Sequence, residues 1–442
     1  NIIFLFNLHK INATFRIFYK LNRIDFTRYF GNMDYIFRLR TAVSNVTGTE
    51  EMIAGTQRSV IHNFVRPDAD YLDFDITRTS LSGFGGNLMA GKLGGNWQFL
   101  YLSSWKSPGF EINDIGYMQM ADMYMGAGII NYNIYKPFSV FRSMSFGTNL
   151  IHLMDFGGNT NAMAVSQSWT ANYQNQWGTF LSAQLTSPET DNHLLRGGPA
   201  MKMPGQLYLS AGIDSDWRKK LSGEVEFSIN KTFNDVMTSY ELGFELEYRP
   251  INTLTLNIEP GWSRTVNKMQ YVTLRHFEGM NDQSERYIFG SIDQKIYSIS
   301  LRADYNITPD LTIQYWGQPF FGSGDYSEFK RITDPVAASL EGRYKLLDGG
   351  IKDRVYSIDE NLDKSPDYSF SNPDFTVSEF LHNLVVRWEF LPGSTAYLVW
   401  SQTREYYTGT GIFDTASQAA SLFGATTPHN VFLVKFSYRF GL

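Results

Sequence analysis

Residues 431–440 read VFLVKFSYRF, just before Leu442. Phe432, Val434, Phe436, Tyr438 and Phe440 fall on one face of an extended chain, and Leu433, Lys435, Ser437 and Arg439 on the other, because successive side chains alternate along a strand. One face is wholly apolar and aromatic, the other mainly polar. A terminal strand of this kind is expected of an outer-membrane β-barrel, where one face meets lipid and the other a wet lumen.

The same two-residue period recurs upstream. In 221–230, Leu221, Val225, Phe227 and Ile229 oppose Ser222, Glu224, Glu226, Ser228 and Asn230. In 240–249, Tyr240, Leu242, Phe244, Leu246 and Tyr248 oppose Glu241, Glu245, Glu247 and Arg249. Residues 205–214, 254–259 and 297–305 repeat the pattern. Half-apolar segments of about ten residues with Tyr and Trp near their ends are the signature of a transmembrane barrel with interfacial aromatic girdles. Turn chemistry appears at Lys92–Asn96, Asn175–Gly178, Asp214–Lys219, Arg249–Asn252, Ile307–Asp310 and Leu391–Ser394. Longer connections are expected near 105–122, 187–204, 264–292, 320–377 and 405–428. Alternating short and long connections put the short turns at the periplasm and give roughly 18 strands, wide enough for an aqueous or plugged lumen.

Composition agrees. Aromatics make up 16% of the 442 residues and hydrophobic residues 43%. Mean hydropathy is −0.26, which suits half-buried strands better than membrane-spanning helices. The absence of Cys excludes disulfides and thiolate metal sites. A formal charge of −6 argues against a nucleic-acid partner. Residues 1–32 are apolar, basic and weakly patterned, and are set apart as an N-terminal segment or early strand. The barrel proper is assigned to 33–442. An exported protein needs a signal peptide, so the sequence is expected to be a mature form or fragment.

RPDADY (66–71), SPGFEINDIGYM (107–118), LRGGPA (195–200), RYIFGSIDQ (286–294), LTIQYWGQPFFGSGDY (311–326), RWEFLPGSTAYLVW (387–400) and NVFLVKFSYRF (430–440) resemble a Bacteroidota outer-membrane barrel family of unknown function. That family usually follows an N-terminal carbohydrate-binding domain of the family-9 type. The resemblance implies a glycan-associated barrel in the outer membrane of a Gram-negative bacterium. It also implies that this chain is the C-terminal part of a larger protein, whose closing strand comes from its own N-terminus, a missing segment or a partner.

Several constellations are candidates for chemistry. Glu224, Glu226, Glu241, Glu245, Glu247 and Glu259 share the lumen face of three neighbouring strands, with Glu224 opposite Glu245. This is either a cation-attracting or sugar-binding wall, or a solvated face neutralised by Arg302, Arg387, Lys435 and Arg439 on later strands. Glu111, Asn113 and Asp114 lie in a loop that either folds inward as a constriction or only sets a backbone shape. Arg196 stands beside two glycines, but no helix is expected there to complete a phosphate cradle. Asp68 and Asp70 form a weak Ca²⁺ candidate without the Gly and Glu of a calcium loop. His382 falls on the apolar face. No catalytic motif and no cofactor is implied, so the chain is read as a non-enzyme. The expected partners are outer-membrane lipid, the barrel-assembly machinery through the last strand, and a polar solute such as a glycan. The alternative is a non-conducting barrel that anchors a periplasmic or surface partner.

Overall fold

The structure, a computed structural model, describes residues 4–12, 17–113, 116–277 and 284–440. Its frame is one antiparallel sheet. The first nine strands are β1 (Phe4–Asn12), β2 (Ile17–Phe30), β3 (Tyr35–Thr47), β4 (Ser80–Lys92), β5 (Trp97–Lys106), β6 (Met123–Ile134), β7 (Phe141–Met154), β8 (Thr160–Tyr173) and β9 (Gly178–Thr186). There follow β10 (Gln206–Asp214), β11 (Leu221–Thr232), β12 (Met237–Ile251), β13 (Leu254–His276), β14 (Glu285–Thr308), β15 (Leu311–Ile332), β16 (Phe375–Leu391), β17 (Ser394–Thr408) and β18 (His429–Ser437). Each pairs antiparallel with the next, with no crossover. Among the described residues no ladder joins β18 to β1. Residues 4–12 and 17–30, within the segment set apart by sequence, pair into the sheet.

The sheet curls into a barrel. Loops from strands about six apart meet over one end: Asn63 Nδ2 donates to Asn192 O at 2.6 Å, and Lys202 N to Pro335 O at 3.0 Å. Helix α1 (Glu50–Arg58) belongs to this loop layer. Thr49 caps it, accepting from Met52 N, with Glu50 and Glu51 in the first turn and Arg58 in the last, an arrangement that complements the helix dipole. The 187–204 connection buries Leu195 and Met201 against Val236, Met269, Phe289 and Ile332. A second helix, α2 (Thr415–Gly424), packs Phe423 on Phe380 of β16.

The outer face carries the apolar set. Phe227, Phe244, Leu246, Leu256, Ile258 and Trp262 are all exposed. On β13 the outward residues run from Leu254 to Trp262 and then give way to Arg264, which binds Asp293 of β14 at 2.9 Å. Lys295 joins Asp293 at 3.3 Å, and Lys231 on β11 pairs with Asp235 at 2.8 Å. Nine residues at about 3.3 Å each, tilted about 40°, cover roughly 20 Å, close to the ~25 Å apolar band of a membrane barrel. Charges begin where the band ends.

The long connections are shorter than expected, because the strands run on above this band. β13 and β14 leave only 277–284 between them, not 264–292, and β15 and β16 leave 333–374 rather than 320–377. The last connection is 409–428. A long excursion at 48–79, unmarked by the two-residue period, carries α1. The last strand ends at Ser437, not at residue 440.

Candidate functional site

Two regions gather the polar side chains. The first is the lumen wall of β10 to β13. Glu224 stands opposite both Asp214 and Glu245. Ser228 stands opposite Glu241, its hydroxyl donating to Oε2 at 3.4 Å. Glu226 faces Gly243, which faces Gly261. A cavity of about 320 Å³ opens there, flanked by Glu226 and Glu241 and floored by the two glycines. Glu259 faces Ser300.

Of the four cations offered as a neutralising set, Arg302 borders this wall, opposite Asn257 of β13 in the ladder. Arg302 lies 3.9 Å from Asp304, and Arg387 binds Glu389 at 2.6 Å. Lys435 sits 6.0 Å from the Tyr397 ring centre. Arg439 lies past the end of β18, where its N–H donates to Ser394 Oγ at 3.0 Å. Arg387 and Lys435 stand on β16 and β18, away from this wall, where short-range contacts outweigh distant screened charge. Of the six glutamates, only Glu247 has an ion pair among the described residues, with Arg249 at 2.6 Å.

The second region is the mouth. Residues 107–113 fold inward and lie on the lumen side of β3 and β4. Phe110 covers Gly83 and Gly85. A Cβ at Gly83 would stand 2.1 Å from Phe110 N, and one at Gly109 would stand 2.2 Å from Ser82 O. Loop and wall therefore meet backbone to backbone. Phe84 N donates to Ser107 Oγ at 2.8 Å, and Glu111 N to Ser44 Oγ at 3.0 Å.

The Glu111 carboxylate is buried. It meets His62 Nε2 at 2.7 Å and accepts from Asn113 N at 2.5 Å. His62 Nδ1 points at Pro108 O, 2.7 Å away. A carbonyl only accepts, so Nδ1 carries a proton, and one further proton must lie between Nε2 and the carboxylate. Burial pushes the Glu111 carboxyl up, but the His62 and Asn113 hydrogen bonds outweigh it and leave the group below its ordinary range. Asn113 Oδ1 accepts from Met118 N at 2.7 Å. Asp114 lies outside the described residues.

A polar network ties the neighbouring loops together. Arg66 grips Asp68 at 3.0 Å and lies 3.7 Å from Asp122. Tyr71 OH donates to Asp122 Oδ2 at 2.6 Å, and Phe156 N to Oδ1 at 3.0 Å. Burial raises the Asp122 carboxyl, although these bonds oppose it. Asp68 is thus an arginine partner, and Asp70 is exposed. Among the described residues no three His, Asp or Glu side chains are close enough to hold a metal ion. Arg196 stacks on Tyr271 at 4.2 Å from the ring centre.

His62, Ser44, Asp122 and Asn192 escaped sequence reasoning. Asp122 and Asn192 fall within the connections expected near 105–122 and 187–204, but their partners come from other loops. Only the paired glycines, 83 with 85 and Gly109 within SPGF, hinted at a close approach.

The fold and its two polar regions define a class: an all-β antiparallel barrel with an apolar outer band, an acidic inner wall and a mouth filled by packed loops. Over residues 38–440 the chain matches DUF5916, described as a domain of unknown function, and it belongs to that family. No curated protein matches it. Among solved structures it is similar to the siderophore receptor PirA from Acinetobacter baumannii, at 8% identity and a TM-score of 0.43, over 98% of this chain and 72% of that one.

Proposed function

We propose that the chain is an integral outer-membrane barrel of a Gram-negative bacterium that passes or binds a polar solute. One observation carries the reading. Across neighbouring strands the exposed apolar residues stop at one level, where Lys231, Arg264, Asp293 and Lys295 begin. A soluble sandwich would hide that apolar face between sheets, whereas a membrane barrel turns it to lipid. The acidic wall then faces water and selects solutes by charge, while the inward loop narrows the mouth. A glycan is one polar solute that fits. No catalytic role enters this reading, and the last strand is the segment through which assembly machinery would engage the chain.

Planar-bilayer conductance tests it. We expect stepwise currents whose cation preference falls in Glu224→Gln and Glu245→Gln. A folded barrel that inserts yet carries no current sinks solute passage. It favours the second reading, a sealed scaffold for a partner, to which the packed mouth loops lend support.

A further inference from the structure

The lumen wall holds oxygen atoms that the chain leaves unsatisfied. Ser222 on β11, Glu247 on β12 and Asn257 on β13 stand in one row across the ladder. Ser222 is 3% exposed and Glu247 is 9% exposed. The Ser222 hydroxyl and the Asn257 amide oxygen are buried without any hydrogen-bond partner. Buried acceptors of this kind cost about 1–3 kcal/mol each unless something donates to them. One step along the strands, Glu224 faces Glu245, and Glu259 acts on Glu245 from the other side. Like charges set opposite one another are destabilising unless compensated.

The spacing says what compensates them. The carboxylates come one to a strand, about 5 Å apart across the sheet, and about 7 Å apart for every second residue along it. No three are close enough to share a metal ion. From Glu241 to Glu247 the acids of β12 extend over roughly 20 Å. Charges spread out singly beside orphan acceptors match a polyatomic cation that carries several N–H donors.

We propose that this wall binds a linear oligo-ammonium ion, extended along β12, with its N–H groups shared among Glu245, Glu247, Ser222 and Asn257. The proposal rests on the reading that this face lines a wet lumen, and it names the solute class.

The test is calorimetric titration of the full chain in detergent with spermidine, and with maltose as the neutral control. Glu245→Gln should weaken spermidine binding about tenfold, the loss of one charge-assisted hydrogen bond. Ser222→Ala should weaken it about threefold without changing the charge, and Asn257→Asp should tighten it. Heat-modifiable gel mobility reports folding, and Asn257→Asp carries the test if Ser222→Ala does not fold. Equal binding of maltose, or spermidine affinity that follows salt alone and ignores Ser222 and Asn257, overturns the proposal. Titration needs no current, so a silent bilayer would count against passage and leave this result standing. A chain soluble without detergent would remove both.

Discussion

The contact of Gly83 with Gly109 leaves no room for a single methyl group. Gly83→Ala or Gly109→Ala must push the inward loop off the wall, because the obstructing atoms are backbone. Overpacking of this kind costs about 1–3 kcal/mol, and we expect either variant to lower the urea midpoint and to enlarge single-channel current. The His62–Glu111 pair acts at the same scale. His62→Phe strands a buried carboxylate and should cost about 3–5 kcal/mol. Because the folded Glu111 carboxyl is held low, its contribution is complete above the ordinary carboxylate range. It fades as pH falls through the lower folded value. Glu111→Gln should flatten that acid limb of a melting-temperature profile. An unchanged limb would place acid sensitivity elsewhere. The inward fold of the Glu111 loop was one of two alternatives open in the sequence, but its pairing with His62 was not legible, since the two are 49 positions apart and no local pattern couples two loops.

At the scale of the element, the strands of the band were the most readable part. Tyr240, Leu242, Phe244, Leu246 and Tyr248 alternate with acids, and the register sets Glu224 against Glu245 as that alternation required. The reading failed where β13, β14 and β15 climb past the apolar band. There both faces carry apolar residues covered by loops, Phe289 in one cluster and Ile288 in another, so the two-residue period loses contrast and strand reads as loop. The 48–79 excursion was missed for another reason: its apolar residues Ile53, Phe64 and Leu72 pack on Val46 and Leu81 at the ends of β3 and β4 without forming a strand of their own. The band makes its own prediction. Phe244→Arg, at mid-height, should destabilise the protein in lipid by about 2–4 kcal/mol. Arg264→Ala, above the band, should cost under about 1 kcal/mol, since an exposed pair contributes little. Unfolding titrations in phospholipid vesicles would read both, and equal costs would remove the lipid boundary.

For the whole molecule, all-β architecture and strand number were visible in the alternation, but the state of the mouth was not. It depends on contacts among loops that no periodicity relates. Asn63, Asn192, Lys202 and Pro335 link three connections across the opening. Replacing residues 107–113 by a short Gly-Ser linker should raise conductance, and Asn63→Ala should do so to a smaller degree. Unchanged currents from both would mean that the constriction lies deeper.

The ladder without crossovers has a temporal meaning. Every strand finds its neighbour next to it in the chain, so loop closure is cheap and hairpins can add one after another. The ties across the opening join residues more than a hundred positions apart. They should form last, with the wall finished before the roof is fastened.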